Sequence, residues 1–189
     1  MLYTYEPSGK TVTRTFRMDQ KWDLILEKEA ERRNISVSAL LNQMVLKFVF
    51  TDRHYVEGIA ITLPSRTFAS LIERMREEDV TEVGYNAGLT IPEDRFLMRG
   101  VPPDYKSVIW FIEVILYKYN GLFQCVHHET RDRAFLHLRH GLGENWSHFL
   151  SNYMVALFKS VLDLDVRTEL RKDSVTVYIR DKAMTRKQG

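Results

Sequence analysis

Polar and apolar residues alternate along residues 11–18, which is the spacing of side chains on an extended strand. Threonine, valine and phenylalanine also favour extended backbone here. One face would carry Val12, Arg14, Phe16 and Met18, and the other would carry Thr11, Thr13, Thr15 and Arg17. The pattern therefore predicts a strand with one mainly apolar face and one polar face.

After residue 18 the apolar residues recur at intervals of three and four, which is typical of amphipathic helices. Asp19 is a favourable N-cap for a first helix that ends near Asn34, and Ser36 is a favourable N-cap for a second. The residues at helical spacing are Trp22, Ile25, Leu26, Glu29 and Ala30 in the first helix, and Leu40, Leu41, Met44, Val45 and Phe48 in the second. Residues 11–52 are thus a predicted β-α-α unit.

The remaining chain alternates between helical and strand patterns. Helices are predicted at residues 64–78, 80–89, 105–120 and 145–162, and strands at 53–62, 122–128, 134–139, 165–171 and 174–180. Proline and glycine predict a loop at residues 90–103. The predicted fold class is α+β, in which the β-α-α unit precedes an α+β domain at 53–180 with an antiparallel sheet. Residues 1–10 are expected to be a flexible arm and 181–189 a tail.

Composition narrows the classes of protein. No apolar run is long enough for a transmembrane helix, and the first residues lack a secretory signal pattern. The single cysteine, Cys125, cannot form an internal disulfide and fits a reducing cytoplasm. The net charge of +2 is small, so total charge does not by itself indicate a nucleic-acid-binding protein.

A β-α-α unit of roughly forty residues is too small to bury its apolar faces alone. The unit contains no cysteine, so dimerisation is the expected solution. Two copies that pair their strands would form an antiparallel ribbon, and the DNA major groove admits such a ribbon.

The segments that carry a family resemblance are Arg14-Thr15-Phe16-Arg17-Met18, the helix from Asp19 to Asn34, and Ile35-Ser36-Val37-Ser38-Ala39-Leu40-Leu41. Over residues 11–50 the chain resembles the ribbon-helix-helix family of DNA-binding proteins. The resemblance implies that Thr13, Thr15 and Arg17 contact base edges from the polar strand face. It also implies that Ser36, Val37 and Ser38 bind a DNA phosphate at the start of the second helix. Arg14 stands where that family has an apolar residue, so it contacts phosphate or the strand register differs by one residue.

The second domain is weakly similar to sensor domains related to 4-vinyl reductase and to haem-nitric-oxide-binding proteins, through the segment Gly84 to Gly88 and the closing helix-strand-strand. A second comparison is with nickel-responsive repressors. If the hairpin centres on Thr130–Asp132, Cys125 lies opposite His137, and a metal set of Cys125, His127, His137 and His140 results. The spacing His137-x-x-His140 is not that of the nickel proteins. The other interpretation is a small buried thiol and solvated histidines.

The glycines of the segment from His140 to Trp146 would suit an anion-binding loop or a simple strand-to-helix turn. No nucleophile, base and acid stand out together, so an enzyme is not predicted.

The sequence therefore predicts a cytoplasmic, sequence-specific transcriptional regulator, such as a repressor, that binds double-stranded DNA as a homodimer or higher homo-oligomer, without a membrane. No cofactor is expected for DNA binding, and the second domain would sense a metal or small molecule. The alternatives are an antitoxin-like regulator whose second domain binds a protein, a metal- or haem-responsive repressor, and an enzyme with a dimerising N-terminal unit.

Overall fold

The computed structural model of the chain describes residues 10–54, 61–130 and 133–180, and it leaves out the side chain of Arg180. The chain folds as two compact units. The N-terminal unit holds the described residues 10–54, and the C-terminal unit holds those from 61 onward. The predicted tail at 181–189 and most of the predicted arm at 1–10 lie outside the described residues.

The N-terminal unit contains two helices, α1 (Gln20–Arg32) and α2 (Val37–Phe50), and a short 3-10 turn, Asp52–His54. The predicted caps are confirmed. The Asp19 carboxylate accepts a hydrogen bond from the Lys21 amide, and the Ser36 hydroxyl accepts one from the Ala39 amide. Asn34 adopts a left-handed conformation with φ of 54° between the helices.

The predicted strand at 11–18 is not formed. Residues 10–19 precede α1 without regular secondary structure. Strands exist only as hydrogen-bonded neighbours, and the described part of the chain offers this segment no strand to pair with. An N-terminal β-α-α unit is therefore not seen in the single chain. Of the predicted strand at 53–62, residues 55–60 lie outside the described residues and the residues on either side are not in a strand.

The C-terminal unit is α+β, with its helices packed on a four-stranded antiparallel sheet, as predicted. Its helices are α3 (Ser65–Ile72), α4 (Glu77–Arg99), α5 (Tyr105–Trp110) and α6 (Glu144–Leu162), and α5 continues as a π-helix at Phe111–Tyr119. Its strands are β1 (Gln124–Glu129), β2 (Arg133–Arg139), β3 (Arg167–Arg171) and β4 (Ser174–Arg180), in the order β1-β2-β4-β3. The described helices include none that is long and apolar enough to cross a membrane.

The core of this unit lies between α6 and one face of the sheet. The buried residues are Leu150, Met154, Leu157 and Phe158 on α6, and Leu136, Leu138, Val175 and Val177 on the central strands. On each strand these residues are two apart, so a single sheet face is apolar. The π-helix packs at β1, at the edge of the sheet.

The ends of two predicted helices in this unit are wrong. The helix predicted at 64–78 ends at Ile72, and a single helix, α4, replaces the predicted short helix at 80–89 and loop at 90–103. Pro92 lies inside α4 and is buried. A proline inside a helix costs about 3 kcal/mol. The long contact of α4 with α6 offsets that cost, and no local pattern reports such a contact.

Candidate nucleic-acid interface

The residues expected to contact bases lie on the segment before α1, which has no regular secondary structure. Thr13, Thr15 and Arg17 are all exposed, and so is Arg14. The apolar Val12 and Phe16 alternate in sequence with these polar residues, and both are exposed as well. The structure thus leaves the proposed base-contacting side chains accessible.

The start of α2 has the features of an anion site at a helix N-terminus. Ser36 is the N-cap, and its hydroxyl lies 3.1 Å from the Ala39 amide nitrogen that it accepts from. Ser36 and Ser38 are exposed, and Val37 is half-buried. The first amides of a helix have no partner within it, and the helix dipole adds positive charge there.

The apolar stripes of the N-terminal unit are largely uncovered in the single chain. Side chains more than half exposed are Val12 (79%), Phe16 (65%), Trp22 (65%), Ile25 (63%), Met44 (52%), Val45 (59%) and Phe48 (56%). Ala30 and Leu40 are buried members of the predicted stripes. This much exposed apolar surface on a small unit is typical of an interaction site.

Two basic residues at the end of α1 are engaged with an acidic one. The Glu29 carboxylate accepts from Arg32 Nη2 at 2.7 Å and from Arg33 Nε at 2.5 Å. These hydrogen bonds, led by the one from Arg32, lower the pKa of Glu29 to about 2. Arg14 and Arg17, on the segment before α1, are exposed.

The predicted metal residues are not brought together. Cys125 pairs across the sheet with Leu138 and not with His137, because the β1–β2 hairpin is centred half a residue later than predicted. His137 pairs with Val126 and therefore lies on the opposite sheet face from Cys125 and His127. Among the described residues, no group of three or more His, Cys, Asp and Glu side chains is placed to hold a metal ion.

Each of the predicted metal residues has another environment. Burial, and secondarily the charge of Glu113, raises the pKa of the Cys125 thiol to about 12, so the thiol stays protonated. His127 Nδ1 lies 3.1 Å from a carboxylate oxygen of Glu113, which the π-helix presents. His137 Nδ1 lies 2.9 Å from the Thr176 hydroxyl. Glu113 was missed by the sequence, because its contact with His127 depends on the packing of the π-helix on β1.

The segment from His140 to Trp146 is a strand-to-helix turn. Its hydrogen-bond donors have partners within the C-terminal unit. The Gly143 amide donates to the Asp173 carboxylate at 3.1 Å. The Asn145 side chain donates to the carbonyls of Ile72 and Met75 at 2.9 Å each. The Trp146 indole donates to the Leu122 carbonyl at 3.2 Å. These contacts fix the turn against α3 and the sheet.

No known protein family matches the chain, and no curated protein matches it either.

Proposed function

We propose that the chain is a sequence-specific, DNA-binding transcriptional regulator that acts as a homodimer through a ribbon-helix-helix arrangement of residues 11–50. The observation that carries the proposal is the uncovered apolar surface of the N-terminal unit, from Val12 and Phe16 to Phe48. Val12 and Phe16 lie on a segment that has no strand partner among the described residues. A second copy of the chain would cover the apolar surface and would provide a strand partner for the segment.

Pairing is energetically reasonable. Full burial of an apolar side chain of this size contributes about 1.5–3 kcal/mol. Seven such side chains in each copy are more than half exposed. Their burial in two copies would be comparable to or larger than the cost of association, which is about 4–15 kcal/mol. The backbone groups of the two extended segments would hydrogen-bond to each other in the same step.

The resulting ribbon would present Thr13, Thr15 and Arg17 of each copy to the major groove. An arginine guanidinium donates two parallel hydrogen bonds to a guanine, and a threonine bonds to a base edge or contacts a thymine methyl. Arg14 and the start of α2 would bind phosphates and set the orientation of the ribbon. In this proposal the C-terminal unit senses a ligand or adds contacts between copies, and the protein works in the cytoplasm.

The test is a binding titration against a library of short genomic duplexes at two salt concentrations, with the full chain and its Arg17→Ala variant. We expect the wild type to select particular duplexes. The variant should lose that selection by about 10-fold or more, since a good bidentate contact contributes about 1–3 kcal/mol of discrimination. It should keep weak, salt-sensitive binding through its phosphate contacts.

The matched control is Lys28→Ala, which removes one positive charge from an exposed position on α1. It should retain the selection of the wild type. The proposal is wrong if the wild type binds all duplexes equally, or if both variants lose selectivity to the same degree.

A further inference from the structure

The face of the C-terminal sheet opposite to α6 holds no buried residue among its described side chains. We call it the outer sheet face; strand pairing places Val126, His137, Thr176 and Glu169 in one row across it. Val126 is 59% exposed, and His137 and Thr176, on the central strands, are half-buried. The helices that contact the sheet pack on its other face, with Ser151 of α6 bonded to Thr168 of β3. This face is therefore an accessible surface of the unit.

A row of rings crosses the outer sheet face next to the row of Val126. His128, Phe135, Tyr178 and Arg167 lie on four successive strands in direct cross-strand register. The His128 and Phe135 ring centroids are 5.2 Å apart, and the Arg167 guanidinium lies 5.7 Å from the centre of the Tyr178 ring. With neighbouring strands about 4.8 Å apart, the row extends over about 14 Å. His128 is exposed, and Phe135 and Tyr178 are half-buried. Aromatic side chains on a protein surface can stack with nucleobases.

The charge on this face is mainly positive. Arg133, Arg139, Arg167 and Arg171 all belong to it by strand register, against one acidic residue, Glu169. Glu169 accepts a hydrogen bond from the Tyr178 hydroxyl at 3.1 Å and lies 3.7 Å from Arg171. Its charge is thus partly compensated, and the face is complementary to a polyanion.

We propose that the outer sheet face binds single-stranded nucleic acid, with bases stacked on the row of His128, Phe135 and Tyr178 and phosphates bound by the surrounding arginines. A base in a duplex has both its faces covered by its neighbours, so stacking on a protein ring requires a single strand. This activity belongs to the C-terminal unit and is independent of duplex binding by the N-terminal unit.

The test measures fluorescence anisotropy of labelled oligo-dT and oligo-U with the full chain. A length of about 12 nucleotides lies within the usual site sizes of about 4–16 nucleotides. We expect Phe135→Ala to weaken oligonucleotide binding by about 5- to 150-fold, as loss of a stacked base does. Phe135→Tyr keeps a ring and should restore affinity. Binding of duplex DNA should be unchanged in both variants. Comparing oligo-dT with oligo-U tells whether DNA or RNA binds more tightly.

A second pair of variants tests the phosphate contacts and does not depend on the stability of the Phe135 variants. Arg139→Gln with Arg167→Gln should lower the slope of log affinity against log salt by about 1.4, since each contact to a single strand contributes about 0.7. Arg66→Gln with Arg74→Gln changes two exposed arginines elsewhere in the same unit and should leave the slope unchanged. The proposal is overturned if neither oligonucleotide binds at low salt, or if both pairs of variants lower the slope equally. It is also overturned if Phe135→Ala changes the oligomeric mass and leaves oligonucleotide affinity unchanged, since a second copy then covers this face.

Discussion

At the scale of single residues, His140 shows how a network of hydrogen bonds selects a protonation state. The Leu142 amide donates to His140 Nδ1 at 3.3 Å, so Nδ1 is an acceptor and the proton is on Nε2. Nε2 lies 2.9 Å from the Ser147 hydroxyl oxygen and donates to it, and that hydroxyl donates to the Arg171 carbonyl at 2.6 Å. All members are satisfied only when the imidazole is neutral. Burial lowers the pKa of His140, against the opposing charge of Asp173.

This network predicts a pH dependence of stability. The unfolded chain binds a proton at His140 near the ordinary pKa of about 6.5, and the folded chain binds it only at lower pH. The contribution of neutral His140 to the free energy of unfolding is therefore complete above about pH 6.5. It is lost as the pH falls from there through the lowered pKa of the folded chain. We expect the free energy of unfolding to decrease between pH 7.5 and pH 5 less steeply in His140→Gln than in the wild type, as measured by urea denaturation.

An NMR titration of the imidazole supplies the control. The His140 resonances should titrate at lower pH in the folded chain than in the chain unfolded in urea. Equal titration midpoints in the two states would contradict this assignment, and so would the same pH slope for His140→Gln and the wild type.

At the scale of elements, α4 and α6 approach each other so closely that side chains are excluded between them. A Cβ added to Gly84 would lie 2.5 Å from the Phe149 carbonyl oxygen. A Cβ added to Gly88 would meet the Tyr153 carbonyl oxygen and lie 2.8 Å from the Ala156 methyl carbon. The obstacles at both positions include backbone atoms, which do not move aside as a flexible side chain does.

We therefore expect Gly88→Ala to destabilise the protein by about 2 kcal/mol, as overpacking does, even though alanine has the higher helix propensity. Chemical denaturation of the full chain measures this. Gly141→Ala is the matched control, because a Cβ at Gly141 meets nothing within 4 Å. If the two variants are equally stable, the helices separate at little cost and the close packing does not contribute to stability.

Also at this scale, the register of β1 against β2 separates the residues of the predicted metal set. The sequence placed both strands within two residues of their observed bounds, but not their register. A change of one residue in the pairing moves His137 to the other face of the sheet. The same register places His128 opposite Phe135 in the ring row.

At the scale of the whole molecule, the exposed apolar stripes of the N-terminal unit predict a dimer. Phe16 is 65% exposed in the single chain, so its replacement costs one isolated copy little. In a dimer both copies of this side chain are buried, and each contributes about 1.5–3 kcal/mol. Phe16→Asp should therefore weaken dimerisation by at least about 100-fold in sedimentation equilibrium.

The neighbouring Thr15→Asp variant tests the other side of the same segment. It introduces the same charge on the polar side, so it should keep the dimer and lose DNA binding by repulsion of phosphate. A wild-type chain that is monomeric at micromolar concentration would contradict the dimer, and equal loss of dimer in both variants would contradict the two-sided arrangement.

The sequence by itself determined the features that depend on neighbours along the chain. Asp19, Asn34 and Ser36 define the ends of α1 and α2 through caps and a left-handed residue. Apolar spacing located α6 and all four strands, because helices and strands repeat with different periods. It also supplied the two-faced pattern of residues 11–18, on which the DNA-binding proposal depends.

Only the tertiary structure decided the features that depend on contacts distant in sequence. The packing of α4 on α6 carries a helix through Pro92, where local preference predicts a loop. The π-helix and the strand register place Glu113 beside His127 and separate His137 from Cys125. The segment before α1 stays without a strand partner, because a strand requires hydrogen bonds from a neighbour that the described chain does not supply.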